Sequence, residues 1–229
     1  ELRLSTELKE IHSDENGTVN SITTTNGESI DCQFVGLTVG VHPNISFIEN
    51  SGIDVERGIK VNRQLQTNFK NIYAIGDCAQ QTEPVGERRN IEQVWYTGKM
   101  MGETVAATIC GKTTDYQPGI WFNSAKFFDI EYQTYGWVFP TLRENEASFF
   151  WSAKDKRRCL RLVYDKTSKA IIGINAFGLR LRHEVCNNWI EQSIPVQQVI
   201  KELDKANFDP EFFKKFEKEV QSQFQSAST

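Results

Sequence analysis

The feature that most limits the fold of this chain is a short apolar run, Ile72 to Ile75, that stops abruptly at Gly76-Asp77. Four apolar residues bounded by turn formers read as a buried strand. Gly76 at its carboxyl end lets a ligand approach the backbone, and Asp77 supplies a carboxylate that accepts hydrogen bonds from hydroxyl groups. An open α/β sheet offers a crevice to a polyol in this way. Many loops that bind nothing share the same strand-to-turn spacing, so the spacing alone leaves a plain structural junction open.

The 229 residues suffice for one or two compact units. Hydrophobic residues at 39% and charged residues at 24% describe a globular chain and not a disordered one. Basic residues are interspersed among a slight excess of acidic ones, giving a net charge of −4, so nucleic acid is not expected as a partner. The densest basic group, Lys154, Lys156, Arg157 and Arg158, reads as a solvated turn between two strands. Cys32, Cys78, Cys110, Cys159 and Cys186 lie far apart with no C-x-x-C, which suggests neither a disulfide framework nor a zinc site. No apolar run approaches the ~18 residues of a membrane span and no signal peptide is evident, so a cytoplasmic location is expected. The chain opens on Glu1 directly in a strand-like alternation, from which a piece of a longer protein is expected.

Leu2, Leu4, Leu8 and Ile11 suggest one or two strands, and the turn at Asp14 to Gly17 leads into a β-rich stretch. Asn26-Gly27 signals a tight type I′ hairpin, so residues 1–35 read as an antiparallel meander. Phe34 to Val41 reads as a buried strand leading into a loop, and Ile59 to Asn62 as another short strand. Asn90 to Cys110 has Met100, Met101, Val105 and Ile109 spaced for one helical face, with Gly111 as the C-cap. The polar stretch Lys112 to Gly119 marks the main boundary. Beyond it Trp121 to Val138 and Ser148 to Phe177 are strand-rich, and Asp165 to Lys169 closes a hairpin. Helical patterns follow at Arg182 to Gln192, Val196 to Leu203 and Pro210 to Gln223. The last has Asp209 as N-cap, Pro210 at its first position, and Phe213, Phe216, Val220 and Phe224 on one side.

With Thr67 upstream, the segment TNFKNIYAIGD (Thr67 to Asp77) resembles the second FAD signature of flavoprotein reductases with two dinucleotide-binding domains, the pyridine nucleotide-disulphide oxidoreductases. In that family the aspartate contacts the ribitol of FAD, a role the resemblance carries to Asp77. Gly36 to Asn44 resembles the T-x-G-x-x-P-N passage from the NAD domain back into the FAD domain. Arg89 to Gly111 resembles the helix after the signature, whose N-terminus faces the flavin pyrimidine; there the partial positive charge of a helix end favours negative charge. Ile120 to Gly136 resembles the start of the interface domain in the ferredoxin-, rubredoxin- and nitrite-reductase-like branch, where an aromatic cluster approaches the flavin, although Asn123 stands where relatives often carry another aromatic. Read from the residues alone, Trp121 and Phe122 are equally core aromatics.

The resemblance implies an α/β (α+β) fold: a remnant of an NAD(P)-binding domain as a β meander at 1–35, the C-terminal part of an FAD-binding domain at 36–114, an α+β interface domain with an antiparallel sheet at 115–205, and a terminal amphipathic helix and tail at 206–229. It implies FAD and NAD(P)H as cofactors of the parent protein, with Gly76, Asp77, Glu92, Gln93, Val94, Trp95, Trp121 and Phe122 toward FAD. No G-x-G-x-x-G occurs in the sequence, so the pyrophosphate-binding loop of that pattern is absent from these residues and the chain by itself is expected to hold FAD poorly and to be inactive. The expected activity of the parent is electron transfer from reduced nicotinamide through flavin to a small redox protein or small-molecule acceptor, with no side-chain acid or base required. A non-catalytic dimerisation or docking domain, with a homodimer through the C-terminal domain, is the alternative. His183 and Cys186 share a helix face but have no orienting carboxylate at the right spacing and read as structural. Nothing matches the C-terminal histidine motif of the disulfide-reductase branch.

Overall fold

In the computed structural model, which describes residues 1–208 and 215–227, the chain divides into two units, Glu1–His42 and Pro43–Thr229. The first is a meander of β1 (Leu8–Ser13), β2 (Val19–Thr24) and β3 (Ser29–Asp31), antiparallel in the order β1-β2-β3. Its two turns have the same construction. At each, a residue at or just past the strand end bonds across a three-residue loop that ends in a left-handed glycine: Asp14 N–H to Thr18 O with Gly17 at φ 78°, and Thr24 N–H to Glu28 O with Gly27 at φ 83°. The second turn therefore departs from the type I′ expectation, because Asn26 keeps a negative φ and Gly27 alone supplies the left-handed step. Asp14 fastens the first turn by accepting from the N–H groups of Asn16 and Thr18, both at 2.9 Å.

Of the one or two strands expected at the start, one forms, since Leu2 and Leu4 precede β1 and are exposed, and a further expectation for this region fails. Phe34 to Val41 forms no strand, and Phe34 and Val39 are 84% and 92% exposed. Apolar content favours a strand only where a neighbour satisfies the backbone, and no described strand pairs with this run.

In the second unit β4 (Ile59–Val61) pairs in parallel with β5 (Ala79–Gln81), and α1 (Trp95–Ile109) follows. Thr97, Met101 and Val105 form the buried face of α1, whereas Ile109 in the final position is exposed; Gly111, at φ 89°, ends the helix as expected. These elements surround a core of Ile59, Val61, Leu65, Ala79, Met101 and Tyr116. The Ile72–Ile75 run is a correction. It bridges only through Tyr73 to Gln66, Ala74 alone is buried, and Ile72 and Ile75 are partly exposed. The backbone of Ile72 is spent on a local loop, donating to Phe69 O and accepting from Thr67 N–H, so no longer ladder forms.

A five-stranded antiparallel sheet follows, built from β6 (Phe122–Phe127), β7 (Ile130–Gly136), β8 (Glu146–Ser152), β9 (Cys159–Asp165) and β10 (Ile171–Phe177) in the order β6-β7-β10-β9-β8. The expected β9–β10 hairpin is present, and the basic group at 154–158 lies in the β8–β9 turn. Gly136 is obligatory where β7 meets β10: it sits at φ 62°, and a Cβ there would lie 2.0 Å from Ile172 O. Helices α2 (His183–Glu191), α3 (Val196–Lys201) and α4 (Glu217–Ala227) share the sheet's core with Trp151, Leu160, Leu162 and Ile174. Phe216 and Val220 are buried there and Phe224 meets Phe149 edge to face at 5.0 Å, so the described part of the terminal helix packs on its own sheet. The capping roles of Asp209 and Pro210 and the place of Phe213 fall outside the described residues.

Candidate functional site

Gly76 begins a single 3-10 turn, Gly76–Cys78, that leads into β5. It takes φ 74° with open space on its Cβ side, a conformation ordinary side chains resist. Gln80 anchors the strand behind this turn, its Oε1 accepting from the N–H groups of Arg57 and Gly58 at 3.1 and 2.9 Å and its Nε2 donating to Glu56. Gly58 must lack a side chain, because a Cβ would come within 2.8 Å of Cys78 O. The result is a fixed strand entry with Asp77 held exposed on the turn, making no side-chain hydrogen bond or ion pair among the described residues. Cys78 is half-buried, and burial pushes its thiol pKa up.

Helix α1 lies directly against this turn. A Cβ on Gly98, in its first turn, would stand 3.5 Å from the Cα of Gly76. Val94 is the N-cap at φ −135° and gives no side-chain cap, so the helix presents its first N–H groups without a capping oxygen from that residue. The helix was expected from Asn90. It starts five residues later because Asn90 O accepts from Gln81 N–H at 2.7 Å, which holds this stretch extended beside β5. Glu92, Gln93 and Val94 thus precede the helix, and Trp95, 71% exposed, is its first residue.

Glu92 has a different task from the one its position suggests. Its carboxylate is buried and receives the Arg88 guanidinium, Nε to Oε1 at 2.6 Å and Nη2 to Oε2. Nη1 of Arg88 donates to the carbonyls of Pro118 and Gly119 at 3.2 and 3.1 Å, and the guanidinium lies 5.3 Å from the Trp121 ring centroid. Trp121 is in turn stacked on Trp137 at 5.3 Å and 4°, and Trp137 on Phe139 at 5.8 Å and 7°. Arg143 closes the series over Phe139 while pairing with Glu87 at 3.0 Å. Arg88 was missed from sequence, because the pair forms ahead of the helix, where no helical spacing marks it.

The two aromatics expected to act together go to different neighbours. Trp121 belongs to the arginine and tryptophan stack, whereas Phe122 packs on Tyr96 at 4.8 Å and on His183 at 4.3 Å. Tyr96, the second residue of α1, also bonds Ser124 through its hydroxyl at 2.8 Å, so Phe122 still abuts the helix start. His183 meets Phe122 and Tyr135 rings and Cys186 is fully buried, the arrangement of packed residues and not of an acid-base couple. Chemically, an exposed carboxylate on a glycine turn beside an uncapped helix start suits a polyol joined to a flat ring. The donors that would grip a pyrophosphate are not among these groups.

A Gly-Asp turn held against a helix and leading into a short parallel strand pair, followed by an antiparallel sheet backed by helices, is a fold the chain shares with solved reductases. Residues 1–102 match the pattern of the family described as pyridine nucleotide-disulphide oxidoreductase. The chain is 32% identical over 128 residues to rhodocoxin reductase of Rhodococcus erythropolis, covering 55% of this chain and 29% of that protein. It is 33% identical over 177 residues to coenzyme A disulfide reductase of Staphylococcus aureus, covering 69% and 39%. Among solved structures, an NAD-dependent persulfide reductase from A. fulgidus aligns with a TM-score of 0.70 at 20% identity, covering 98% of this chain and 43% of that one. A ferredoxin reductase from Rhodopseudomonas palustris aligns at 0.64 and 22%, covering 94% and 49%. The chain therefore spans less than half the length of these relatives. Among the described residues no helix is long and apolar enough to cross a membrane.

Proposed function

We propose that these residues form the ribitol- and ring-facing part of the flavin site of an FAD-dependent NAD(P)H oxidoreductase, which passes electrons to a small redox protein or small-molecule acceptor. FAD, when bound, supplies the redox chemistry. Asp77 accepts hydrogen bonds from the ribitol hydroxyls, Gly76 allows close approach, and the α1 start together with Trp95 borders the ring. Trp121 and Phe122 wall the site from the second sheet, one through Arg88 and the other through Tyr96. Gln93 and Val94 lie along the extended lead-in to the helix, and Glu92 acts indirectly by holding Arg88. The observation that carries this reading is the contact of Gly98 with Gly76, which brings the Gly-Asp turn and the uncapped helix start together.

Two separate cores, one around Val61 and Met101 and the other around Trp151 and Leu162, support an FAD-domain portion and an interface domain, set at 36–114 and 115–205, with Tyr116 still packed in the first core and residues up to His42 grouped with the meander. The remnant of an NAD(P)-binding domain at 1–35 and the tail at 206–229 complete this assignment. The relatives include both a rhodocoxin reductase and a coenzyme A disulfide reductase, in keeping with either kind of acceptor. Packing of Phe216, Val220 and Phe224 on their own sheet favours the enzyme reading over a dimerisation or docking domain.

The test is the visible spectrum of the protein made from its full reading frame. The expected result is a yellow protein whose flavin absorbance bleaches anaerobically with NADH or NADPH. A colourless protein that FAD does not reconstitute overturns the proposal.

A further inference from the structure

We infer that the cavity enclosed by Gln81, Pro84, Val85, Arg88, Tyr116 and Pro118 is a binding site for one ordered water molecule, held between the side chains of Gln81 and Tyr116. Both residues are at least nine-tenths buried, at 5% and 3% exposure. Both amide atoms of Gln81 and the hydroxyl of Tyr116 are without a hydrogen-bond partner among the described residues. Folded proteins leave few such groups unsatisfied, and here the two residues that carry three of them line one cavity.

The backbone keeps both side chains in place. Tyr116 N–H donates to Arg63 O and Arg63 Nη2 donates to Tyr116 O, each at 2.7 Å, while Gln81 N–H donates to Asn90 O at 2.7 Å. The neighbouring cation does not serve them, because Arg88 is committed to Glu92 and to the carbonyls of Pro118 and Gly119. The cavity volume, ≈ 10 Å³, is room for one water and no larger ligand. A water has two hydrogens and two lone pairs, so a single molecule meets the hydroxyl and one end of the amide. It would tie β5, which follows the Asp77 turn, to the segment that runs on to Trp121. The inference stands independently of the flavin reading.

A crystal structure of the whole chain at about 1.8 Å tests it. The expected result is a fully occupied water within hydrogen-bonding distance, about 2.6–3.2 Å, of Tyr116 Oη and of a Gln81 amide atom. An empty cavity, or a Gln81 side chain turned to bond Tyr116 directly, overturns it. Thermal melts give a second reading. Tyr116→Phe should lower Tm by about 3–6 °C, and Gln81→Met should cost clearly less in the Tyr116→Phe background than in the wild type, because the shared water is already lost. Strictly additive losses contradict a shared water.

Discussion

Arg88 and Glu92 are joined by a buried two-point ion pair, Nε to Oε1 at 2.6 Å, and the same guanidinium lies 5.3 Å from the Trp121 ring. One side chain thus connects the lead-in to α1, the Pro118–Gly119 backbone and the first aromatic of the following sheet. Removing one partner leaves a buried charge uncompensated, so Arg88→Ala or Glu92→Ala should each cost about 3–5 kcal/mol. Arg88→Met with Glu92→Leu should cost less than the sum of Arg88→Met and Glu92→Leu made singly, as a double-mutant cycle in urea would show.

Gly136 and Gly119 share the same φ of 62° but not the same surroundings. Gly119→Ala meets open space and should cost about 1–2 kcal/mol for the left-handed backbone alone. Gly136→Ala also drives a Cβ to 2.0 Å from Ile172 O and should cost distinctly more, with broadened backbone resonances along β7 and β10. Equal losses for the two would contradict the close approach of these strands.

Burial raises the Tyr116 hydroxyl pKa from 10 to about 12 and pushes Tyr135 higher still. Both pKa values are raised on folding, so the stability linked to the neutral hydroxyls is complete below pH 10. Above that the unfolded chain loses these protons and the folded chain does not, so stability falls as pH rises through about 12. Melts between pH 9 and 12 should show the decline, and Tyr116→Phe should flatten part of it.

The cysteines should separate by reactivity. Cys110 is exposed, whereas Cys186 is fully buried with its thiol pKa pushed well up by burial, and Cys78 and Cys159 are raised for the same reason. A thiol reagent at pH 7.5 should modify Cys110 first and reach Cys186 only on unfolding. Rapid native modification of Cys186 would contradict its burial.

What the sequence made legible was local. Asp14 with Gly17, and the Asp165–Lys169 turn, carry their hairpins in adjacent residues, and the 3.6-residue spacing of Met101 and Val105 marks the buried face of α1. What it hid depends on distant partners. Phe34 to Val41 has strand composition without a strand to pair with, and α1 begins at Trp95 because Gln81 claims the Asn90 carbonyl. For the candidate site, Gly76-Asp77 was visible as a motif. The role of Glu92 was not, since a carboxylate near a ligand-facing helix looks the same whether it points at the ligand or at Arg88.

The central claim is that Asp77 holds the polyol chain of FAD. The direct measurement is the FAD dissociation constant of the full-reading-frame protein beside Asp77→Ala, by quenching of flavin fluorescence. Loss of charge-assisted hydrogen bonds worth about 1.5–3 kcal/mol predicts a weakening of roughly 10- to 150-fold. An unchanged constant in a variant with the wild-type melting temperature would contradict the account.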